Sequence, residues 1–255
     1  MQLADSHCHI DFPQFDEKFE AILIEAKNMD VGFMLCVSVN IEDFPRILAM
    51  SYKYDEIHAS VGVHPNTVDA EDPSVVRLVE LGSDPNVVAI GETGLDYFRS
   101  SGELEWQRDR FARHIEAGKI LKKPIIVHSR DAPDDTIRIM KECNAGETGG
   151  VMHCFTGNYE MAKSAMDLGF YISFSGIVTF KNATDLAEVA KKIPMERMLI
   201  ETDAPYLAPV PRRGKENQPA FVRHTAEFLA NLKGMELEEF AETTTDNFLQ
   251  LFKIH

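Results

Sequence analysis

The sequence predicts an α/β chain closed into a (β/α)8 TIM barrel. Three observations carry this expectation. Short apolar, β-branched runs alternate with longer amphipathic segments along the whole chain. The runs number eight, enough for a parallel sheet to close on itself instead of staying open. The length of 255 residues is ordinary for one such barrel, and no Gly/Ser-rich linker or shift in composition divides the chain. Residues 1–255 therefore read as a single domain.

The expected strands, in order, are Leu3–Ile10, Phe33–Val39, Ile57–Val63, Val87–Glu92, Pro124–His128, Gly150–Phe155, Phe170–Ser175 and Met198–Asp203. Helical spacing is clearest over Asp16–Met29, where Phe19, Ile22, Leu23 and Ala26 share a face. Glu103–Leu121, Tyr159–Leu168 and Ala183–Ile193 follow the same rule. Pro219 can open a further helix with Val222, Ala226 and Leu229 as its inner stripe. The tail Met235–Phe252 adds a last helix, with a break expected near Thr243-Thr244-Thr245. The longest irregular stretch is Ala208–Gln218, which carries two prolines, two arginines and a lysine. A long loop after the last strand is either functional or disordered.

Hydrophobic residues make up 44% and charged residues 26% of the chain, so it has apolar mass for a core. The net charge of −15 argues against a broadly basic surface that grips nucleic acid by its phosphates alone. A polyanionic substrate remains admissible, because bound cations and local arginines can dominate one cleft. The four cysteines, Cys8, Cys36, Cys143 and Cys154, form no Cys-x-x-Cys pair and read as small buried residues. The polar start does not read as a signal peptide, and no apolar run approaches ~18 residues. These features predict a cytoplasmic protein with free thiols, no membrane association and no obligate protein partner.

In a barrel of this kind chemistry sits where strands end and the following loops begin. The first strand carries His7 and His9 two apart, so both point the same way and Cys8 points the other. Further strand ends supply Glu92, His128, His153 and Asp203. One histidine at a strand end is most often a hydrogen-bonded core residue. Six such residues on five strand ends of one barrel point to a metal centre. Four imidazoles and two carboxylates suit two divalent ions of Zn, Mn, Ni or Mg, and not the thiolate-seeking copper(I) or iron–sulfur clusters. Glu92 lies between the His7/His9/Asp203 side and the His128/His153 side, where it can bridge two ions. His64 either shapes the loop at His64-Pro65 or contacts substrate. His58, His114, His224 and His255 read as structural or surface residues. Asp5 either orients a ligand or fills the barrel floor. Cys8 faces the helices, so Cys8→Ala should leave turnover nearly unchanged in a kinetic assay.

Several motifs stand together: Asp5-Ser6-His7-Cys8-His9, Gly91-Glu92-Thr93-Gly94-Leu95-Asp96-Tyr97, His128-Ser129-Arg130-Asp131-Ala132, His153-Cys154-Phe155-Thr156-Gly157 and Glu201-Thr202-Asp203-Ala204-Pro205-Tyr206-Leu207. With these the chain resembles the TatD family of metal-dependent hydrolases, almost end to end, through Arg213-Gly214-Lys215-Glu216-Asn217 to Thr244-Thr245-Asp246-Asn247-Phe248. The resemblance implies an amidohydrolase-type TIM barrel, a one- or two-metal site on those six ligand residues, and deoxyribonuclease activity. Asp203 is the expected general base and Glu92 the other catalytic carboxylate. Arg130, His64, Arg212, Arg213 and Lys215 are the expected phosphate-holding residues; for the Arg212–Lys215 cluster a solvated loop is the other reading. Tyr97, Phe98, Phe155 and Tyr206 either pack the loops or stack on a base. The acidic balance favours DNA strand ends or short single strands over long duplex, hence exonuclease-like action, and the resemblance to a TatD-type deoxyribonuclease implies the 3'-5' sense. Two rivals are a lactonase or small amidase on the same metal site, and a non-catalytic metal-containing binding protein. Histidine ligands must be neutral, so activity should fall as pH drops through ~6.

Overall fold

A computed structural model describes residues 1–254. Eight parallel strands form one sheet in chain order: β1 (Leu3–Cys8), β2 (Val31–Cys36), β3 (Ile57–Val61), β4 (Val87–Asp96), β5 (Ile125–Arg130), β6 (Gly150–Met152), β7 (Phe170–Phe174) and β8 (Met198–Ile200). The helices are α1 (Phe19–Asn28), α2 (Phe44–Lys53), α3 (Val75–Gly82), α4 (Glu105–Leu121), α5 (Pro133–Glu142), α6 (Tyr159–Asp167), α7 (Thr184–Lys192), α8 (Val222–Lys233) and α9 (Leu237–Phe252). The expected (β/α)8 barrel is present.

Side-chain alternation divides the sheet's neighbours into two clusters. Ala4, Leu35, Ala89, Ile126, Val151 and Leu199 fill the barrel interior. Leu3, Cys8, Cys36, Val61, Ile90 and Val127 belong to the layer between sheet and helices. Cys8 is thus buried on the helix side, as expected, with its thiol 3.4 Å from the Leu35 carbonyl. Phe248, Leu251 and Phe252 of α9 join the inner cluster and stopper the barrel. Phe248 is fully buried. Phe248→Ala should therefore cost about 3–5 kcal/mol, read as a lower urea midpoint at unchanged slope.

Three helices, α2, α3 and α5, lie outside the helical segments expected from the sequence, and two expected helices differ in extent. Helices α2, α3 and α5 have thin apolar stripes: α3 buries only Leu78 and Gly82, and α5 buries Thr136 beside Ile139 and Met140. The first helix begins late, because Pro13–Lys18 forms a 3-10 turn. The tail helix α9 does not break at its threonines. Thr243 and Thr244 donate their hydroxyls to the carbonyls of Glu239 and Phe240 at 2.9 and 3.0 Å, which keeps them inside the helix.

The seam between β1 and β8 is closed mostly by residues at the mouth. The Asp203 amide donates to the His7 carbonyl at 2.9 Å and the His9 amide to the Ala204 carbonyl at 2.8 Å. Lower down, Asp5 accepts the Thr202 amide at 2.8 Å and the His7 amide at 3.3 Å. Asp5 therefore holds backbone on both sides of the seam. It holds the His7 backbone and not a histidine ring. The stretch after β8 is ordered by buried Asn217, whose side-chain amide donates to the carbonyls of Thr202 (2.8 Å) and Tyr206 (2.6 Å).

Candidate metal centre

His7, His9, Glu92, His128, His153 and Asp203 meet at the C-terminal mouth of the barrel. His9, His153 and Asp203 sit just past their strands, because β1 ends at Cys8 and β6 and β8 are three residues each. Gly94 lets β4 lie close to β5 at this point; a Cβ there would strike the His128 carbonyl.

Glu92 is buried at the centre, and its two oxygens face different partners. Oε2 lies 3.3 Å from His7 Nε2 and 4.0 Å from His9 Nε2. Oε1 lies 2.8 Å from His153 Nε2, 2.9 Å from His128 Nδ1 and 3.4 Å from His64 Nε2. Asp203 Oδ1 completes the first side, 3.5 Å from His9 Nε2 and 3.9 Å from His7 Nε2.

The far nitrogens of the rings decide what the near ones offer. His9 Nδ1 meets the Val37 carbonyl at 3.0 Å, an atom that only accepts. His153 Nδ1 meets Glu201 Oε1 at 3.2 Å, and His128 Nε2 meets Asp96 Oδ2 at 3.3 Å. Each outward nitrogen must then carry the proton, and each inward nitrogen presents a lone pair. Those lone pairs face carboxylate oxygens, an arrangement that needs positive charge between them. A divalent cation fits this donor set. Donor atoms of His7/His9/Glu92 and of His7/His153/Asp203 lie within 4.8 Å of one another, as do those of His64/Glu92/His128.

In the absence of a metal, protons fill that role. Burial alone would raise the Glu92 carboxyl, but the facing His153, His64 and His7 rings hold it well below the usual carboxylate range. Burial pushes His9 down, yet Asp203 and Glu92 lift it to about 9. Burial likewise opposes charge on His153, and Glu92 and Glu201 overcome it, raising that ring well above an ordinary imidazole. A binding metal must displace these protons. Zinc affinity should therefore decline in acid from near pH 9, where His9 begins to hold its proton, and not only from the ~6 of a free imidazole. Calorimetric titration with zinc across that range checks it; a flat profile would remove His9 from the ligand set. For stability of the metal-free chain the sign is opposite. The contribution of protonated His9 is complete below 6.5 and is lost as pH rises through about 9.

The expected substrate-binding residues lie on or after β3, β5 and β8. His64 reaches the centre directly. Its Nδ1 accepts the Asn66 amide at 3.0 Å, so its proton sits on Nε2 and points inward. His64 thus offers a donor where its neighbours offer lone pairs. Arg130 stacks on Phe98 (4.2 Å), Arg212 on Phe221 (5.1 Å) and Arg213 on Phe180 (3.7 Å). Among the described residues none of these three guanidiniums forms an ion pair, whereas Arg77, Arg108, Arg110, Arg113 and Arg138 all pair with carboxylates. Lys215 is exposed on the loop after β8. The aromatic residues divide. Tyr97 donates to Asp135 at 2.6 Å and Phe155 is buried, so both pack loops; Phe98 and Tyr206 stay exposed. Beside His153 lies a cleft of about 160 Å³ with Met152, Phe155 and Met161 in its wall.

Sequence reasoning quoted Asp96 and Glu201 inside motifs without giving them a role. The available signal was position: Asp96 lies four residues past Glu92, and Glu201 two before Asp203. Among the histidines left outside the centre, His114 ties α4 to the end of β3, accepting the Val63 amide at 3.1 Å. His224 pairs with Glu227 at 3.1 Å. His255 lies outside the described residues.

The family model described as TatD related DNase matches residues 4–253. The uncharacterized metal-dependent hydrolase YcfH of Escherichia coli K12 is 47% identical across 100% of this chain and 97% of the relative. The uncharacterized metal-dependent hydrolase YabD of Bacillus subtilis 168 is 42% identical across 99% of this chain and 100% of the relative. The crystal structure of YjjV, a TatD homolog from Escherichia coli K12, superposes with a TM-score of 0.91 at 30% identity, covering 99% of this chain and 98% of that one. With a mouth built from lone pairs facing carboxylates, and with these relatives along its full length, the chain belongs to the TatD family of metal-dependent hydrolases.

Proposed function

We propose that this single barrel domain, residues 1–255, hydrolyses phosphodiester bonds at DNA strand ends or in short single strands, with 3'-5' exonuclease-like action. The observation that carries the substrate class is the trio Arg130, Arg212 and Arg213. In a chain of net charge −15, these guanidiniums stand at the mouth stacked on phenylalanines, with no carboxylate partner among the described residues. Their edges are free for phosphate, whose oxygens match arginine's fork.

In this reading His7, His9, Asp203 and Glu92 would hold one divalent ion, and Glu92, His128 and His153 would hold a second. Bound ions of this kind make a water acidic enough to attack near neutral pH and neutralise charge on phosphoryl oxygens. Asp203 takes the proton of the attacking water as the water oxygen bonds to phosphorus. It returns that proton to the 3' oxygen as the P–O3' bond breaks. The His64 Nε2–H donates to a non-bridging oxygen, and Arg130, Arg212, Arg213 and Lys215 hold the flanking phosphates. The metals are Mg, Mn, Zn or Ni, and the reaction runs in the cytoplasm, where the four thiols stay reduced.

One observation favours a second reading, a lactonase or small amidase on the same centre. The cleft beside His153 has the apolar wall Met152, Phe155 and Met161, which suits a neutral acyl group. A substrate panel separates the two. Metal-loaded chain should shorten single-stranded oligonucleotides from their ends and stop when chelated. Hydrolysis of lactones or amides with intact oligonucleotides would reverse the assignment.

A further inference from the structure

Two imidazoles of the centre, His64 and His128, lie edge to face with centroids 4.6 Å apart and address the same oxygen, Glu92 Oε1. They do so with opposite polarity. His128 turns a lone pair inward, and His64 turns an N–H inward. Both arrangements trace back to one buried carboxylate. Asp96 Oδ2 accepts His128 Nε2–H at 3.3 Å and the Asn66 side-chain amide at 2.8 Å. Asn66 in turn donates its backbone amide to His64 Nδ1 at 3.0 Å. Asp96 Oδ1 accepts the Arg99 amide at 2.8 Å, and the Asp96 amide donates to Gln107 at 3.0 Å. Ser100 closes the network, donating to Asn66 at 3.1 Å and accepting from Gln107 at 2.7 Å. The Asp96 side chain has no solvent exposure.

We infer that Asp96 is the positioning residue for this half of the site. Directly, it fixes His128 as a lone-pair donor toward a cation. Through Asn66, it fixes His64 as a hydrogen-bond donor toward substrate. His64 is thereby kept out of the ligand set, although its nitrogen lies as close to Glu92 as a ligand's would. The inference rests on the reading of His128 as a ligand. It does not depend on DNA being the substrate.

The test uses the full chain loaded with zinc and labelled with ¹⁵N at histidine. Long-range proton–nitrogen correlation spectra should show His128 and His64 each protonated at Nε2 only. In Asp96→Asn one amide oxygen cannot serve both carboxylate positions. Either the Arg99 amide or the His128 and Asn66 donors then face an NH2 group. Zinc affinity should fall by about 10–100-fold, the usual cost of losing an outer partner of a ligating histidine. The His128 Nε2 proton should lose its protection from exchange. Asn66→Ala keeps the backbone amide but frees the loop. His64 should then show both tautomers, while the His128 pattern and zinc affinity stay as in the unaltered chain. Asn66 is half-buried on a loop, so this variant keeps the test open if Asp96→Asn does not fold. Unchanged tautomers and unchanged zinc affinity in either folded variant, against its own expected change, overturn the inference. So does a His64 protonated at Nδ1 in the unaltered chain. Failure of zinc to bind the unaltered chain overturns the metal reading as well, which separates the two failures.

Discussion

Glu92→Gln is expected to lower turnover by roughly two to four powers of ten and to cost the chain at least one of its ions. The size follows from the surroundings. Glu92 is buried and faces His7 and His9 through one oxygen and His64, His128 and His153 through the other. Removing one partner of a buried charged set costs about 3–5 kcal/mol. At 1.36 kcal/mol per tenfold, that is the stated range if the cost falls on the loaded, reactive state. Glutamine has nearly the same shape, so packing is kept while one oxygen becomes an NH2 group that repels a cation. Steady-state kinetics with elemental analysis of the purified protein checks both parts. Near wild-type turnover with full metal content would remove Glu92 from the centre.

Asp203→Asn should keep the fold and lose at least ~100-fold in kcat, the usual scale for removing a general base. Asp203 has a positive φ of 56°, a left-handed conformation that Asp and Asn both tolerate better than other side chains. Its amide, which donates to the His7 carbonyl at 2.9 Å across the seam, is unaffected by the substitution. The loss should therefore appear in rate while thermal stability changes little. A drop in melting temperature matching the loss of rate would mean that Asp203 acts by holding the seam. Normal turnover would take it out of the mechanism altogether.

The barrel was legible because a buried parallel strand needs a continuous apolar run. The six converging residues were legible because polar groups with chemistry cluster where those runs stop. His7, Glu92 and His128 could be placed this way from spacing alone. The polarity of the rings could not. It depends on whether the far nitrogen meets an acceptor, as His128 meets Asp96, or a donor, as His64 meets the Asn66 amide. Those partners come from different loops and share no pattern in sequence. The role of Asp5 was hidden for the same reason, since its partner Thr202 lies across the seam at the other end of the chain. Thr243 and Thr244 misled in the opposite direction. Their β-branched, hydroxyl-bearing side chains favour leaving a helix, and hydrogen bonds to Glu239 and Phe240 keep them in it. The three mouth arginines were visible as residues, but that they have no carboxylate partner among the described residues is a property of the folded loops.

Glu92 is expected to divide the centre between two ions. Anomalous diffraction from crystals of the chain grown with manganese or zinc tests it most directly. Two peaks are expected, one among His7, His9, Asp203 and Glu92 Oε2, the other among His128, His153 and Glu92 Oε1, with His64 bound to neither. A single peak coordinated by His64, or peaks away from Glu92, would contradict it.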